Sequence, residues 1–251
     1  MIWYKAWIET RTRFFVGLAL LVCSAAGIVL AWPKVTDLLP MAANMPMHGD
    51  LGRKVRAAIE LSRDYRSYVW SQWFAKNLSM LGILFAALLG TGSILSQRGG
   101  VLFTLSLPVS RSRALFTGAG VGLAELLSIV MAASLTVPLL SPAVGNHYAL
   151  GDALIHGVCL FTVAAVFYSL ALLLSTEFGD LWRPLLLTLA IPLALAVIAE
   201  VTGSSIGIFR WMSAEAFFRT GSLPWAGLVI SVAASVAMLA LSSANIARKD
   251  F

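Results

Sequence analysis

The chain has 251 residues, 59% of them hydrophobic and only 12% charged, with a formal net charge of +6. Ordinary soluble domains carry about 25% charged residues, so this composition excludes a soluble catalytic domain and predicts one transmembrane domain over residues 1–251. The positive balance fits basic residues beside membrane spans and anionic lipid head groups, and no nucleic-acid partner is expected.

In residues 1–13, Trp3, Trp7, Arg11 and the following Phe14 recur at helical spacing, with Tyr4 and Ile8 beside them. This predicts a short interfacial helix with its rings at head-group depth and Arg directed to water. Six apolar runs cover about 14–31, 77–96, 114–140, 153–174, 184–201 and 225–243. Crossing ~30 Å of hydrocarbon takes ~20 apolar residues, and every backbone amide inside needs an internal partner, so each run should be a helix. Trp32-Pro33 is expected to end the first. The external connection 32–76 is too short for a core of its own. Within it, 51–74 predicts an amphipathic helix resting on the membrane, with Tyr65, Tyr68, Trp70 and Trp73 as an interfacial belt. Residues 202–224 suggest a small re-entrant or surface helix. Cys23 and Cys159 both fall inside spans, so no disulfide framework is expected.

Six spans put both termini on one side. The 18 Lys and Arg divide equally between the two sides, so the raw count does not orient the chain. Short loops decide. Segment 97–113 carries Arg98, Arg111 and Arg113 without an acid, whereas 141–152 has no Lys or Arg. Both termini are therefore expected in the cytoplasm.

The chemistry-bearing patterns are sparse. No GxxxxGK[ST] loop, HExxH pair or GxSxG elbow occurs, so neither ATP hydrolysis nor any other catalysis is expected of this chain. Met41, Met45, Met47 and His48 offer soft ligands suited to Cu(I), but a mobile loop places ligands poorly and no metal site is expected. Glu125, counted from the start of its run, falls near the bilayer midplane. An ionisable group there is costly and marks a possible intramembrane polar site, or else a packing residue kept neutral by burial. Gly82, Ala86 and Gly90, and the pair Gly118 and Gly122, are spaced for close helix approach.

Segment 97–113 reads QRGGVLFTLSLPVSRSR. Its apolar piece is too short to cross a membrane. Together with Gly90-Thr91-Gly92, the phrase Leu105-Ser106-Leu107-Pro108-Val109-Ser110-Arg111 resembles the membrane permease subunit of type-2 ABC transporters. The six-span plan extends the resemblance over the whole chain. That resemblance implies an all-α membrane protein with an N-terminal elbow helix at 1–13. It also implies a cytoplasmic coupling helix made of Val101, Leu102, Phe103, Thr104, Leu105, Ser106, Leu107 and Pro108, with Arg111 and Arg113 holding the loop at the inner surface. It further implies a second permease subunit (a homodimer), the lipid bilayer as surroundings and a separate ATPase subunit that binds ATP and Mg2+. No cofactor belongs to this chain, and the location is the bacterial cytoplasmic membrane. Where many relatives have an acid before the coupling helix, this chain has Ser96-Gln97-Arg98. Two other readings stand beside an ABC exporter permease: a scaffold or sensor that binds an ATPase without transporting, and an intramembrane enzyme using Glu125 and His156.

The orientation predicts that a reporter fused at Pro108 is active in the cytoplasm and one fused at Gly145 in the periplasm. The reverse pattern would invert the topology.

Overall fold

Residues 2–43, 59–91, 111–178, 180–202 and 207–248 are described by the computed structural model. Among them α1 (Ile2–Ala43) is one unbroken helix of 42 residues. At 1.5 Å per residue it is ~63 Å long, about twice the hydrocarbon thickness. The expected boundaries at residues 13 and 31 are therefore corrected: no break separates an interfacial helix from the span, and the helix passes through Pro33 and Pro40. Residues 2–31 contain no Pro that would break it. Beyond them, Pro33 is tolerated because membrane helices accept a lost backbone bond where neighbours pack well. Trp32 supplies that packing, buried with ring centroids 5.3 Å from Tyr65 and 5.1 Å from Tyr68.

The second span, α2 (Tyr65–Gly90), begins well before the expected residue 77. Asp64 caps it, its carboxylate accepting from the Ser67 backbone N–H at 3.0 Å. Trp70–Leu78 is π-helical. Asn77 Nδ2 donates to Gln72 O at 2.6 Å and Ser79 Oγ to Phe74 O at 2.7 Å. Both reach five residues back, the spacing of the wider turn. The external helix expected over 51–74 is thus corrected in its described part. Tyr65, Tyr68, Trp70, Trp73 and Phe74 are core residues at the head of a span, not a belt lying on the membrane. Burial against α1 and the chain's later helices outweighs the interfacial preference of Trp and Tyr.

Four more spans follow: α3 (Arg111–Leu140), α4 (Leu150–Glu177), α5 (Trp182–Thr202) and α8 (Trp225–Arg248). Between α5 and α8 lie two short helices, α6 (Gly207–Met212) and α7 (Glu215–Thr220). They meet at Ala214, whose φ of 50° makes a left-handed corner. No strand occurs among the described residues. Among the described residues the fold is all-helical, with six helices long and apolar enough to cross a membrane, the architecture of a multi-pass membrane protein.

The helices alternate in direction. Near one end, here called lower, Arg13 meets Leu88, Tyr168 meets Ala119, and Asn245 meets Glu177. At the upper end Tyr68 meets Ile28, Tyr65 meets Ser141, and His156 meets Ser213. So α1, α3 and α5 run upward, α2, α4 and α8 downward, and both Ile2 and Arg248 are at the lower end. Within the most apolar window of each span, 61% is buried in α2 and in α4, against 22% in α1 and α8 and 17% in α5. The centre of the bundle is α2 with α4. The outer helices turn Leu, Ile and Val outward, as lipid contact allows.

Gly90 shows what holds that centre. A Cβ there would come within 2.5 Å of Tyr168 O and 2.8 Å of the Ala171 Cβ, so α2 and α4 touch backbone to backbone. Gly27 has nothing within 4 Å. Gly90→Ala is expected to cost about 1–3 kcal/mol by overpacking. Gly27→Ala should be neutral or stabilising by up to ~1 kcal/mol through helix propensity. Thermal unfolding of both variants in detergent distinguishes the two outcomes.

Candidate functional site

Glu125 is the candidate that the fold develops furthest. It is 3% exposed and faces α1. Its Oε1 accepts the Thr10 hydroxyl, the shortest contact of that group, whose other acceptors are Ala6 O at 3.0 Å and Trp7 O at 3.5 Å. Arg13 is an electrostatic partner of the carboxylate, and the guanidinium also donates to Leu88 O at 2.8 Å. Tyr168, buried on α4, is a further electrostatic neighbour. Glu125 Oε2 has no hydrogen-bond partner among the described residues. Carboxylates that give up water are normally satisfied on both oxygens, so this oxygen is an open acceptor.

The register of α1 against α3 sets the depth of the site. Thr10 and Arg13 precede the apolar run of α1, and Lys5, Glu9 and Arg11 lie on the same stretch. That stretch is too charged for hydrocarbon and has the aromatic content of head-group depth. Glu125 is therefore level with the charged, aromatic stretch that precedes the apolar run of α1, although it sits well inside α3.

Around the carboxylate, Trp3, Tyr4, Trp7, Phe14, Val121, Ala124 and Ser128 enclose an open groove of about 480 Å³. The rings share one face of α1 because they recur at helical spacing. Trp7 and Phe14 pack with centroids 5.2 Å apart, and Gly120 leaves room for the Trp3 ring to approach α3.

A second polar group sits at the upper end. His156 is 1% exposed, stacks on Phe74 at 4.6 Å and has Nδ1 3.1 Å from Ser213 O. A carbonyl only accepts, so Nδ1 carries the hydrogen and Nε2 is left as an acceptor. Nε2, Tyr148 OH and Trp73 Nε1 are buried without hydrogen-bond partners among the described residues. Burial, reinforced by Asp152, pushes the Tyr148 phenol above its ordinary range, which keeps it a neutral hydroxyl. Arg66 closes this end, pairing with Asp152 at 3.0 Å and lying 5.1 Å over the Phe218 ring, itself stacked on Trp70.

Glu125 and His156 are not brought together. Glu125 neighbours Tyr168, twelve residues along α4 from His156, which is ~18 Å at 1.5 Å per residue. A catalytic pair needs hydrogen-bond reach, directly or through one water. Arg111 and Arg113 lie in the first turn of α3, which begins three residues before the expected start of the span at 114, and Arg113 is exposed. Val101, Leu102, Phe103, Thr104, Leu105, Ser106, Leu107 and Pro108 lie outside the described residues, as does His48. Among the described residues no group of three His, Cys, Asp or Glu gathers as a metal site. Sequence reasoning missed Thr10 and Arg13 as partners of Glu125. Neither belongs to a motif, and only the packing of α1 on α3 joins them. No protein-family model, curated protein or solved structure matches the chain.

Thr10→Val is expected to destabilise the protein by about 1 kcal/mol, since buried polar contacts between membrane helices are worth roughly that much. In a Glu125→Leu background the same change should cost almost nothing. A double-mutant cycle read by thermal unfolding measures the coupling, and equal costs in both backgrounds would mean the contact carries none.

Proposed function

We propose that this chain is the permease subunit of an ABC transporter, an exporter, whose energy comes from a separate ATPase subunit. The observation that supports the reading is where the flanking helices end: α2 ends at Gly90 and α3 begins at Arg111, both at the lower end that also holds Ile2 and Arg248. Segment 92–110 joins them in sequence, and the LSLPVSR phrase, residues 105–111, runs from it into the first residue of α3. With the short-loop arginines cytoplasmic, a partner gripping this segment would also meet both ends of the chain.

The packing supports mechanical coupling. α2 and α3 flank the segment and are joined to α4 by close contacts at Gly90 and Gly122. A push on the segment would pass into α4 through the backbone contact at Gly90 and the Tyr168 ring at Gly122, and close-packed contacts yield little. The apolar side chains Leu102, Phe103 and Leu105 suit docking in a groove of the ATPase. Arg113 stands exposed at the base, and with Arg111 it would anchor the loop among anionic head groups. The translocation path would run along the interface between two copies, which suits the apolar outward surfaces of α1, α5 and α8.

Phe103→Asp with Leu105→Asp is expected to abolish co-purification of the ATPase while leaving membrane insertion and melting temperature unchanged. Retention of the ATPase would remove the docking assignment. ATP-dependent movement of solute by the reconstituted complex supports transport, and an intact complex that moves nothing would favour the scaffold instead.

A further inference from the structure

We propose that the groove between α1 and α3 is a binding site for a cationic amphiphile: an alkylammonium whose head meets Glu125 and whose chain lies along the outer face of α1. The site belongs to the single chain, so its occupancy does not depend on the permease reading or on an ATPase.

Three observations point to this ligand class. The first is the carboxylate: Glu125 is 3% exposed, lines the groove, and keeps Oε2 without a hydrogen-bond partner among the described residues. Thr10 holds Oε1, so the side chain is fixed while Oε2, itself buried, keeps an unmet acceptor. The second is the wall. Trp3, Tyr4, Trp7 and Phe14 put four aromatic rings beside one carboxylate, and no Lys or Arg lines the groove. The negative faces of such rings attract ammonium groups, and Trp does so best. Arg13, an electrostatic partner of the carboxylate, lies outside the groove lining and donates to Leu88 O. The third is access. Trp3 and Tyr4 are 62% and 70% exposed, and the exposed Phe15, Val16 and Leu20 continue along α1 into its apolar run. A head at the Glu125 level and a tail along that surface would each meet matching chemistry.

Other ligands fit less well. An anion would meet an acceptor and the repelling faces of aromatic rings. A small hydrophilic cation would forgo the apolar wall made by Phe14, Val121 and Ala124. The groove volume of about 480 Å³ lies within the ~300–1,000 Å³ range of small-molecule sites. It suffices for a substituted ammonium and the first part of its chain.

The test uses the full chain in maltoside detergent and a dodecyltrimethylammonium probe bearing a nitroxide beside its head, read by quenching of tryptophan emission. A sulfate probe with the same chain and label is the charge control, and unlabelled tetramethylammonium is the competitor. The chain has eight Trp, so Trp3→Leu with Trp7→Leu identifies the signal that belongs to the groove. Expected are saturable quenching by the cationic probe and loss of that phase in the double Trp variant. Glu125→Gln should weaken binding about tenfold or more, the scale of one lost charge contact, while Glu125→Asp stays within a few-fold. Thermal unfolding verifies that each variant is folded. If Glu125→Gln fails to fold, the comparison of cationic with sulfate probe on the unaltered protein decides. Equal quenching by the sulfate probe, or unchanged affinity in folded Glu125→Gln, would overturn the site. Displacement by tetramethylammonium at concentrations matching the probe would overturn the amphiphile assignment.

Discussion

Tyr168 is where three helices meet, and the arrangement of the bundle depends on that meeting. Its backbone carbonyl lies against Gly90 of α2, and its phenol ring lies against Gly122 of α3. Its hydroxyl donates to Ala119 O at 3.3 Å. Gly90 lets the α2 backbone lie against the α4 backbone, and Gly122 makes room on α3 for the Tyr168 ring, so one residue joins three helices at close range. Lipid provides no hydrophobic drive between helices, and this kind of close fit takes its place. The junction also fixes the level of Glu125, one turn above Gly122 on α3.

That junction lies at the lower end, and polar groups gather at both ends of the bundle. The lower end holds a carboxylate, a threonine and an arginine beside an aromatic-lined groove. The upper end holds a histidine, a tyrosine and a tryptophan among stacked rings, closed by the Arg66–Asp152 pair. Between them the described residues of the central helices are largely apolar, and Thr136 and Thr162 return their hydroxyls to carbonyls four residues back. Polar atoms in hydrocarbon are costly unless satisfied, which accounts for their gathering near the boundaries. Among the described residues, buried side-chain atoms without hydrogen-bond partners include Glu125 Oε2 at one end and His156 Nε2 at the other, and also the hydroxyls of Ser134, Ser169 and Thr188 within the spans.

The proposed permease role and the proposed amphiphile groove make separate demands on the lower end. Coupling would use segment 92–110, between α2 and α3. The groove uses the outer side of α3, against α1. α3 is common to both, a single helix of 30 residues that meets α4 at Gly122. A ligand wedged between α1 and α3 would press on the same helix that a partner at the lower end would move. That shared element gives the two sites a physical route to influence each other.

The six spans, the helical class and the basic segment between spans two and three could be read from the sequence. Hydrocarbon leaves an apolar run of ~20 residues little choice but a helix. The glycine spacings of α2 and α3 were legible as close-approach surfaces too, though not their partner. Local pattern misled where two structures share one signature. Tyr65, Tyr68, Trp70 and Trp73 suit an interfacial belt as well as a buried aromatic head of a span, and Pro33 can end a helix or be carried within one. Only the tertiary structure decided those cases, because Trp32, Tyr65 and Tyr68 choose their environment by packing on each other. It also decided the surroundings of Glu125. The carboxylate and Thr10 are 115 residues apart in the chain, and no spacing rule can pair groups whose distance is set by the register of two long helices.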